Sequence, residues 1–177
     1  LEEYREAASA FLLENRDAES SLGHFIRDHA ENARVNDANL LLGKLYFRKN
    51  NYKEAVRTLQ GIDAAGLGKA EKEELSFLMG YSSLKSGEPE KAMTYFRRIS
   101  ESNTVFYPQA KFYMAHIDYC IGNFDRALAA FDELKSDRRF RKVIPIYEMQ
   151  IYNQLGDYQR VTEIGPSLIE EPETAGK

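Results

Sequence analysis

The chain has 177 residues, of which 43% are hydrophobic, and a formal net charge of −4 at pH 7. This apolar content excludes a disordered chain, and no apolar run approaches the ~18–20 residues of a membrane span. The acidic balance disfavours a general nucleic-acid binder, and the single cysteine excludes an internal disulfide framework and a cysteine-rich zinc module. The chain opens at Leu1 without a signal peptide, so we expect a processed or excised piece and leave its compartment open.

Five short polar breaks divide the chain at regular intervals. They lie near Asn15, Asn51, Gly87, Gly122 and Gly156. The stretches between them carry apolar residues at the i, i+3, i+4, i+7 spacing of amphipathic helices, and none alternates apolar and polar residues long enough to indicate a strand. The pattern therefore predicts an all-α protein made of short helices joined by tight turns.

Prolines support these helix boundaries. Pro89 and Pro108 each stand at the start of an apolar-periodic stretch. A proline is tolerated in the first turn of a helix, where its missing N–H has no intrahelical partner to lose. We therefore expect a helix to begin at each of them.

A repeat of about 35 residues underlies the breaks. A small or short residue follows each break, at separations of 34, 37, 35 and 34: Ser21, Ala55, Ala92, Ala127 and Val161. Four residues after each stand Phe25, Leu59, Phe96, Phe131 and Gly165. Twelve residues before each stand Ser9, Gly43, Gly80, Ala115 and Met149. Two antiparallel helices approach closely only where one surface is small and a large neighbour fills the gap, so the repeat predicts stacked helical hairpins.

These residues resemble the tetratricopeptide repeat (TPR) family. The clearest copy is LLLGKLYFRKNNYKEAVRTLQGI, residues 40–62, and two further copies begin at FLMGYSSL and FYMAHIDY. The resemblance implies a right-handed α-solenoid, a TPR-like superhelix of stacked antiparallel hairpins. The spacing in the fourth copy is also loosely similar to TPR proteins of bacterial cell envelopes, which suggests an envelope or periplasmic location.

The period predicts one domain over residues 1–172, with a tail at 173–177. Its units span approximately 2–35, 36–72, 73–107, 108–141 and 142–172. In the first unit an alternative register makes YREAASAF a second helix. In the last unit Gly165-Pro166 predicts a helix that kinks or ends near Ile164, so we interpret this unit as a degenerate cap or a joint to further sequence.

The TPR resemblance implies a partner-binding groove lined by the first helix of each hairpin. Mapped onto this sequence, the groove residues are aromatic, basic and amide side chains: Lys44, Phe47, Arg48, Tyr81, Lys85, His116, Tyr119, Gln150 and Asn153. Such side chains stack on a peptide and donate hydrogen bonds to its carbonyl or carboxylate oxygens. The alternative is that they form only a solvated inner wall or touch a neighbouring segment.

A basic segment, KSDRRFRK at 135–142, interrupts the acidic background. It carries five basic residues and one acidic residue, so its net charge is +4 and the rest of the chain sums to −8. The simple interpretation is a solvated turn between two units. The more specific interpretation is a binding site for an acidic partner, in which Arg138, Arg139 and Arg141 make the contacts.

Catalytic and metal-binding patterns are weak. His24 and His29 are five residues apart and do not share a helix face, and no HExxH, GxSxG or glycine-rich phosphate loop occurs. Cys120 lies at the predicted end of a first helix, where we expect a buried, inert thiol. We therefore predict no catalytic residues, no metal and no cofactor.

Two functions remain open from the sequence. The first is a protein-interaction scaffold that binds a peptide or partner protein in a groove without catalysis. The alternative is a structural spacer or self-association segment of a larger bacterial envelope protein, which implies homo-association. Neither involves nucleic acid or a membrane-embedded segment.

Overall fold

The computed structural model describes residues 2–99 and 104–169, and within them it is all-helical. The helices are α1 Glu2–Leu12, α2 Ala18–Asp28, α3 Val35–Arg48, α4 Tyr52–Leu59, α5 Lys69–Lys85, α6 Pro89–Phe96, α7 Tyr107–Cys120, α8 Phe124–Leu134, α9 Ile144–Leu155 and α10 Tyr158–Ile169. A short 3-10 turn, Ala64–Gly66, lies between α4 and α5. None of these helices is both long and apolar enough to span a bilayer.

The chain forms two compact units that are larger than the repeats predicted above. From here on, the first unit is Leu1–Ala110 and the second is Lys111–Lys177, and the boundary between them lies inside α7. The five-unit division of a single domain over 1–172 stays a prediction, and the tail at 173–177 lies outside the described residues. In the first unit, α1 packs on α2, α3 on α4 and α5 on α6, while α3 also contacts α1 and α5. In the second unit, α8 and α10 both pack on α9. The expected all-α class of TPR-like hairpins is confirmed.

The small residues of the repeat are the points of closest helix approach. A Cβ atom added to Gly43 would lie 2.3 Å from Leu59 Cδ2, and one added to Gly80 would lie 2.7 Å from Phe96 Cε1. Ala115 is completely buried in the cluster that contains Phe131. The predicted pairing of a small residue in a first helix with a large one in the second is thus confirmed in three hairpins.

The polar breaks end the first helices with left-handed residues. Gly87, Gly122 and Gly156 have φ angles of 82°, 81° and 74°, and Asn50 occupies the matching position with φ 58°. Glycine and asparagine adopt this conformation at low cost, so the chain reverses within two or three residues. Such short connections make the paired helices antiparallel neighbours.

The first hairpin departs from the predicted register. Ser9 is exposed, and the buried small residues are Ala7 and Ala18 instead. The turn between α1 and α2 has five residues, against three between α3 and α4, and the extra length shifts which residues face each other. The alternative register is also wrong, because YREAASAF lies in α1, which contacts α2 and α3 as a first helix does.

Of the two outcomes predicted for the last helix, a kink or an end near Ile164, the end is wrong. Helix α10 continues through Pro166 to Ile169. Proline removes one backbone hydrogen bond and strains the preceding turn, which is a local cost. Val161 and Ile164 are half-buried and lie one turn apart on α10. The packing of α10 on α9 outweighs the local cost of the proline.

Candidate partner-binding surfaces

Three half-buried aromatic rings form the centre of a surface on the first unit. Phe47 of α3 lies 5.3 Å from Tyr81 of α5, measured between ring centroids. Tyr52, at the start of α4, lies 5.8 Å from Phe47 and 5.6 Å from Tyr81, in edge-on arrangements. We call these rings, with Lys44 and Lys85, the α3–α5 surface. Edge-to-face contacts hold the rings in fixed orientations, so the surface is preorganised.

The two lysines of the α3–α5 surface differ in their electrostatic environment. Lys44 Nζ lies 2.8 Å from Glu74 Oε2, so its charge is already neutralised by α5. Lys85 Nζ lies 5.6 Å from the centre of the Tyr81 ring, and no carboxylate of the described residues is within ion-pair distance of it. Lys85 is therefore the cation of this surface that is available to an acidic partner.

Arg48, which was predicted in the same groove, extends its side chain toward α1 rather than toward α5. Its guanidinium carbon is 4.3 Å from the centre of the Phe11 ring, and its Nη1 atom is 3.6 Å from Glu14 Oε1. Arg48 thus faces α1 and the turn after it. The structure separates Arg48 from Lys44 and Phe47 rather than bringing the three together.

Tyr52 is a member of the α3–α5 surface that the groove prediction missed. Burial and the neighbouring Tyr81 raise the pKa of Tyr52 above its ordinary value. Its hydroxyl donates a hydrogen bond of 2.7 Å to Asn50 Oδ1. The sequence did identify Tyr52 as a repeat residue, but nothing in the pattern placed a second-helix residue beside first-helix aromatic rings.

A second surface, on the other unit, joins α7 and α9 by hydrogen bonds. His116 Nδ1 lies 2.8 Å from the Tyr147 hydroxyl oxygen, and the Tyr119 hydroxyl donates to Gln150 Oε1 at 3.0 Å. Asn153, one turn further along α9, is exposed. We call these residues the α7–α9 surface. It brings together His116, Tyr119 and Gln150 of the predicted groove residues, while Asn153 lies one turn further along α9.

Tyr147 is the centre of the α7–α9 surface, and the sequence analysis did not single it out. Its ring lies 5.2 Å from Tyr119 and 4.9 Å from Phe131. Burial, and then Cys120 and Tyr119, raise the pKa of the Tyr147 hydroxyl. The spacing of Ile144, Tyr147 and Ile151 was the signal that could have found it, because i, i+3 and i+7 share one helix face.

Cys120 contradicts the expectation of a buried thiol. It is exposed, as the last residue of α7, and its Sγ atom lies 3.7 Å from His116 Nε2. The helix ends there, and the following turn carries the chain away before a neighbouring side chain covers the thiol.

The basic segment at 135–142 is partly neutralised and firmly anchored. Arg139 makes a two-pronged ion pair with Asp137, whose pKa it lowers, with a shortest distance of 2.6 Å. Lys135 Nζ lies 2.8 Å from Oε1 of the buried Glu148. Phe140 is buried and stacks on Phe112 at 4.8 Å. The segment is thus more ordered than a solvated turn, and Arg138 and Arg141 are exposed within it.

The histidines near the N-terminus serve local contacts. His29 contacts the Glu3 carboxylate of α1 through its Nε2 atom, and His24 is exposed on α2. Across the described ranges, no three His, Cys, Asp or Glu side chains come close enough to hold a metal ion.

Comparison with known proteins agrees with this architecture. The family model described as "Tetratricopeptide repeat" matches residues 37–62. The fold is similar to the crystal structure of a tetratricopeptide repeat protein from Parabacteroides merdae, with a TM-score of 0.51 and 16% sequence identity. That similarity covers 97% of this chain and 79% of the other. No curated protein sequence matches the chain.

Residues 37–62 therefore match a tetratricopeptide repeat, and the chain has the fold of a TPR protein, as its sequence resemblance implied. Repeats of this class are in general protein-interaction scaffolds and typically non-catalytic.

Proposed function

We propose that this chain is a non-catalytic scaffold that binds an extended segment of a partner protein on its first-helix faces. The α3–α5 surface is the primary contact. The observation that carries the proposal is the cluster of Phe47, Tyr52 and Tyr81, which are fixed against one another yet only half-buried. Rigid, partly exposed aromatic rings are the side chains most often found at binding hot spots.

The charges around the rings define the partner's chemistry. Lys85 faces solvent beside Tyr81, so a segment with an apolar or aromatic residue next to an Asp or Glu fits this surface. The α7–α9 surface offers hydroxyl, imidazole and amide groups instead, which suit backbone carbonyl and N–H groups. The exposed Arg138 adds a further positive charge that favours an acidic partner.

The test is a matched charge reversal. Lys85→Glu alters the α3–α5 surface, and Lys53→Glu makes the same change at an exposed position of α4. Proteins captured from source cells by the parent are identified, and the strongest is purified for titration. We expect Lys85→Glu to weaken binding at least about tenfold, since it places like charges together, and Lys53→Glu to leave it unchanged.

Two further variants separate binding from folding. Tyr119→Phe removes only the hydroxyl group that donates to Gln150. Tyr81→Phe removes only the Tyr81 hydroxyl group and keeps its ring in the cluster. Circular dichroism must show parental helicity for each variant. If Lys85→Glu and Lys53→Glu bind the partner equally well, the α3–α5 surface is not the binding site.

One observation favours the second candidate, a self-associating spacer. Ile121, Leu155 and Tyr158 of the second unit are 60%, 55% and 66% exposed, although large apolar side chains are usually covered. Ile121 and Leu155 are 34 residues apart, at equivalent ends of α7 and α9. Sedimentation at increasing protein concentration decides this candidate. A concentration-independent monomer rules out self-association, and a dimer abolished by Ile121→Ser with Leu155→Ser supports it.

A further inference from the structure

A cleft of about 650 Å³ opens on the first unit, away from the rings of the α3–α5 surface. Its apolar walls come from α4, the following turn, α5 and α6, and include Leu59, Ile62, Leu75, Met79 and Tyr95. This volume and lining are within the range of sites that hold a peptide side chain with its neighbours. The cleft is too open to be a packing defect of the core and is built from ordered helices.

One side chain in this cleft is anomalous. Glu73 of α5 lines it and is only 9% exposed. No hydrogen bond or ion pair joins its carboxylate to another of the residues that the structure describes. Its neighbour Glu74 pairs with Lys44, and Glu71 accepts a hydrogen bond from the Gly68 backbone N–H at 2.8 Å. Glu73 is therefore the acidic residue in this part of α5 whose side chain is largely buried and whose carboxylate has no protein partner among the described residues, only the solvent that the cleft admits.

A carboxylate in such a place restricts what the cleft can bind. Covering it with an apolar group would remove its remaining water and leave a buried charge unpaired, which is strongly unfavourable. A ligand must bring a hydrogen-bond donor, and a cation satisfies the carboxylate best. Guanidinium is favoured over ammonium because it pairs with carboxylate through two parallel hydrogen bonds and is more weakly hydrated.

The aromatic ring in the wall of the cleft already contacts a guanidinium group of the protein itself. The guanidinium carbon of Arg98 lies 5.0 Å from the centre of the Tyr95 ring. Arg98 and Lys72 are exposed at the rim, and at physiological salt their charges act on groups within about 8 Å. They disfavour a ligand with several basic groups and favour acidic groups at its ends.

We propose that this cleft is a second binding site, which takes a peptide segment with one arginine between apolar residues and acidic residues outside them. The arginine pairs with Glu73, and the apolar neighbours contact Leu75, Met79 and Tyr95. This site does not include any residue of the α3–α5 surface, so either proposal can fail without affecting the other.

The probe is the capped peptide Ac-Glu-Leu-Arg-Leu-Glu-NH₂, with a matched peptide that carries citrulline in place of arginine. Citrulline has the same shape without the charge. Binding is followed by the methyl resonance of Met79, which lines the cleft, and Met149 in the other unit is the internal reference. We expect a saturable shift of Met79 with a dissociation constant below about 1 mM for the arginine peptide, and at least tenfold weaker binding of the citrulline peptide.

Matched variants identify the carboxylate. Glu73→Gln should weaken the arginine peptide at least tenfold and abolish the preference over citrulline. Glu90→Gln removes one negative charge from an exposed position of α6 and should bind as the parent does. No saturable Met79 shift, or equal affinities of the parent and Glu73→Gln, would overturn the proposal.

A stability measurement checks the premise without a ligand. Because Glu73 has no partner, Glu73→Leu should raise the Tm, by about 2–4 °C. A lower Tm for Glu73→Leu would mean that the carboxylate is satisfied in the free protein, and the site would lose its basis.

Discussion

At the residue scale, two glycines determine how closely the hairpins pack. The Phe96 ring is fully buried against Gly80, and Leu59 is nearly fully buried against Gly43. An added Cβ would overlap each of these buried side chains, so glycine is required there by space and not by backbone conformation. Gly23, inside α2, has no atom within 4 Å of an added Cβ and is free of this constraint.

Gly80→Ala should therefore destabilise the protein, although alanine is the better helix former. Overpacking costs about 1–3 kcal/mol, which outweighs a helix-propensity gain of up to about 1 kcal/mol. Gly23→Ala is the matched control, and we expect it to stabilise the protein by about 0.5–1 kcal/mol. Urea unfolding measures both variants, and a shift of the same sign in both would contradict the packing account.

The Asp137–Arg139 pair predicts a small pH dependence. Hydrogen bonds from Arg139 lower the pKa of Asp137, so the carboxylate stabilises the folded state above its unfolded pKa of about 3.9. This contribution is lost as the pH falls through the lower, folded pKa. Both side chains are partly exposed, so we expect Asp137→Asn to cost less than about 1 kcal/mol at pH 7.

Thermal unfolding of the parent and Asp137→Asn from pH 7 down to pH 2 measures this effect. The difference between the two proteins should be constant above about pH 5 and shrink below pH 4. A difference that grows on acidification would show that the pair does not stabilise the folded state through charge.

At the element scale, an ion pair joins the end of α8 to α9. Lys135, just past α8, lies 2.8 Å from Glu148, whose side chain is only 10% exposed. The hydrogen bond from Lys135 to Glu148 raises the pKa of Lys135, so the lysine keeps its positive charge up to and beyond its ordinary pKa. Removing the lysine leaves a buried carboxylate without its partner.

A double-mutant cycle measures this connection. Lys135→Met alone should destabilise the protein by about 1–2 kcal/mol, because the charge of Glu148 is then uncompensated, and adding Glu148→Met should recover part of the loss. Denaturant unfolding of the four proteins gives the coupling. Strictly additive losses would mean that the pair contributes nothing.

Pro166 makes α10 weaker than its length suggests. It lies inside the helix and is exposed, so Pro166→Ala restores one backbone hydrogen bond without altering the core. We expect a stabilisation of about 1–3 kcal/mol, measured by urea unfolding. Pro89→Ala is the control, because Pro89 begins α6 where proline costs nothing, and a gain as large there would refute the explanation.

The helices and turns were predictable because their causes are local. Turn residues such as Gly87 and the apolar spacing around Gly43 act within one or two turns of chain, so the sequence states them directly. The register of the first hairpin and the continuation of α10 were not predictable, because a longer turn and the packing of α10 on α9 decide them.

The candidate sites were predictable only in part, for a related reason. Repeat positions identified Phe47, Tyr81, His116 and Tyr119, since equivalent residues lie on equivalent helix faces. They did not reveal that Arg48 faces α1, because its partner Phe11 belongs to the irregular hairpin. The lack of a partner for Glu73 depends on three helices at once, and no local pattern encodes it.

At the scale of the whole molecule, each unit repeats one arrangement of small and large residues. Because of this packing, the first helices within a unit lie side by side. Phe47 of α3 therefore contacts Tyr81 of α5, and His116 of α7 contacts Tyr147 of α9. Both proposed binding sites of the first unit depend on this packing, because α5 supplies Tyr81 to one site and Glu73 to the other.

The packing itself is tested most directly by proton NMR of the free protein. Nuclear Overhauser contacts should connect the Gly80 Hα protons with the Phe96 ring and the Gly43 Hα protons with the Leu59 methyl groups. The Phe96 ring current should also shift the Gly80 Hα resonances. Absence of both contacts, with Gly43 and Gly80 exposed to solvent, would contradict the hairpin packing from which both binding surfaces were derived.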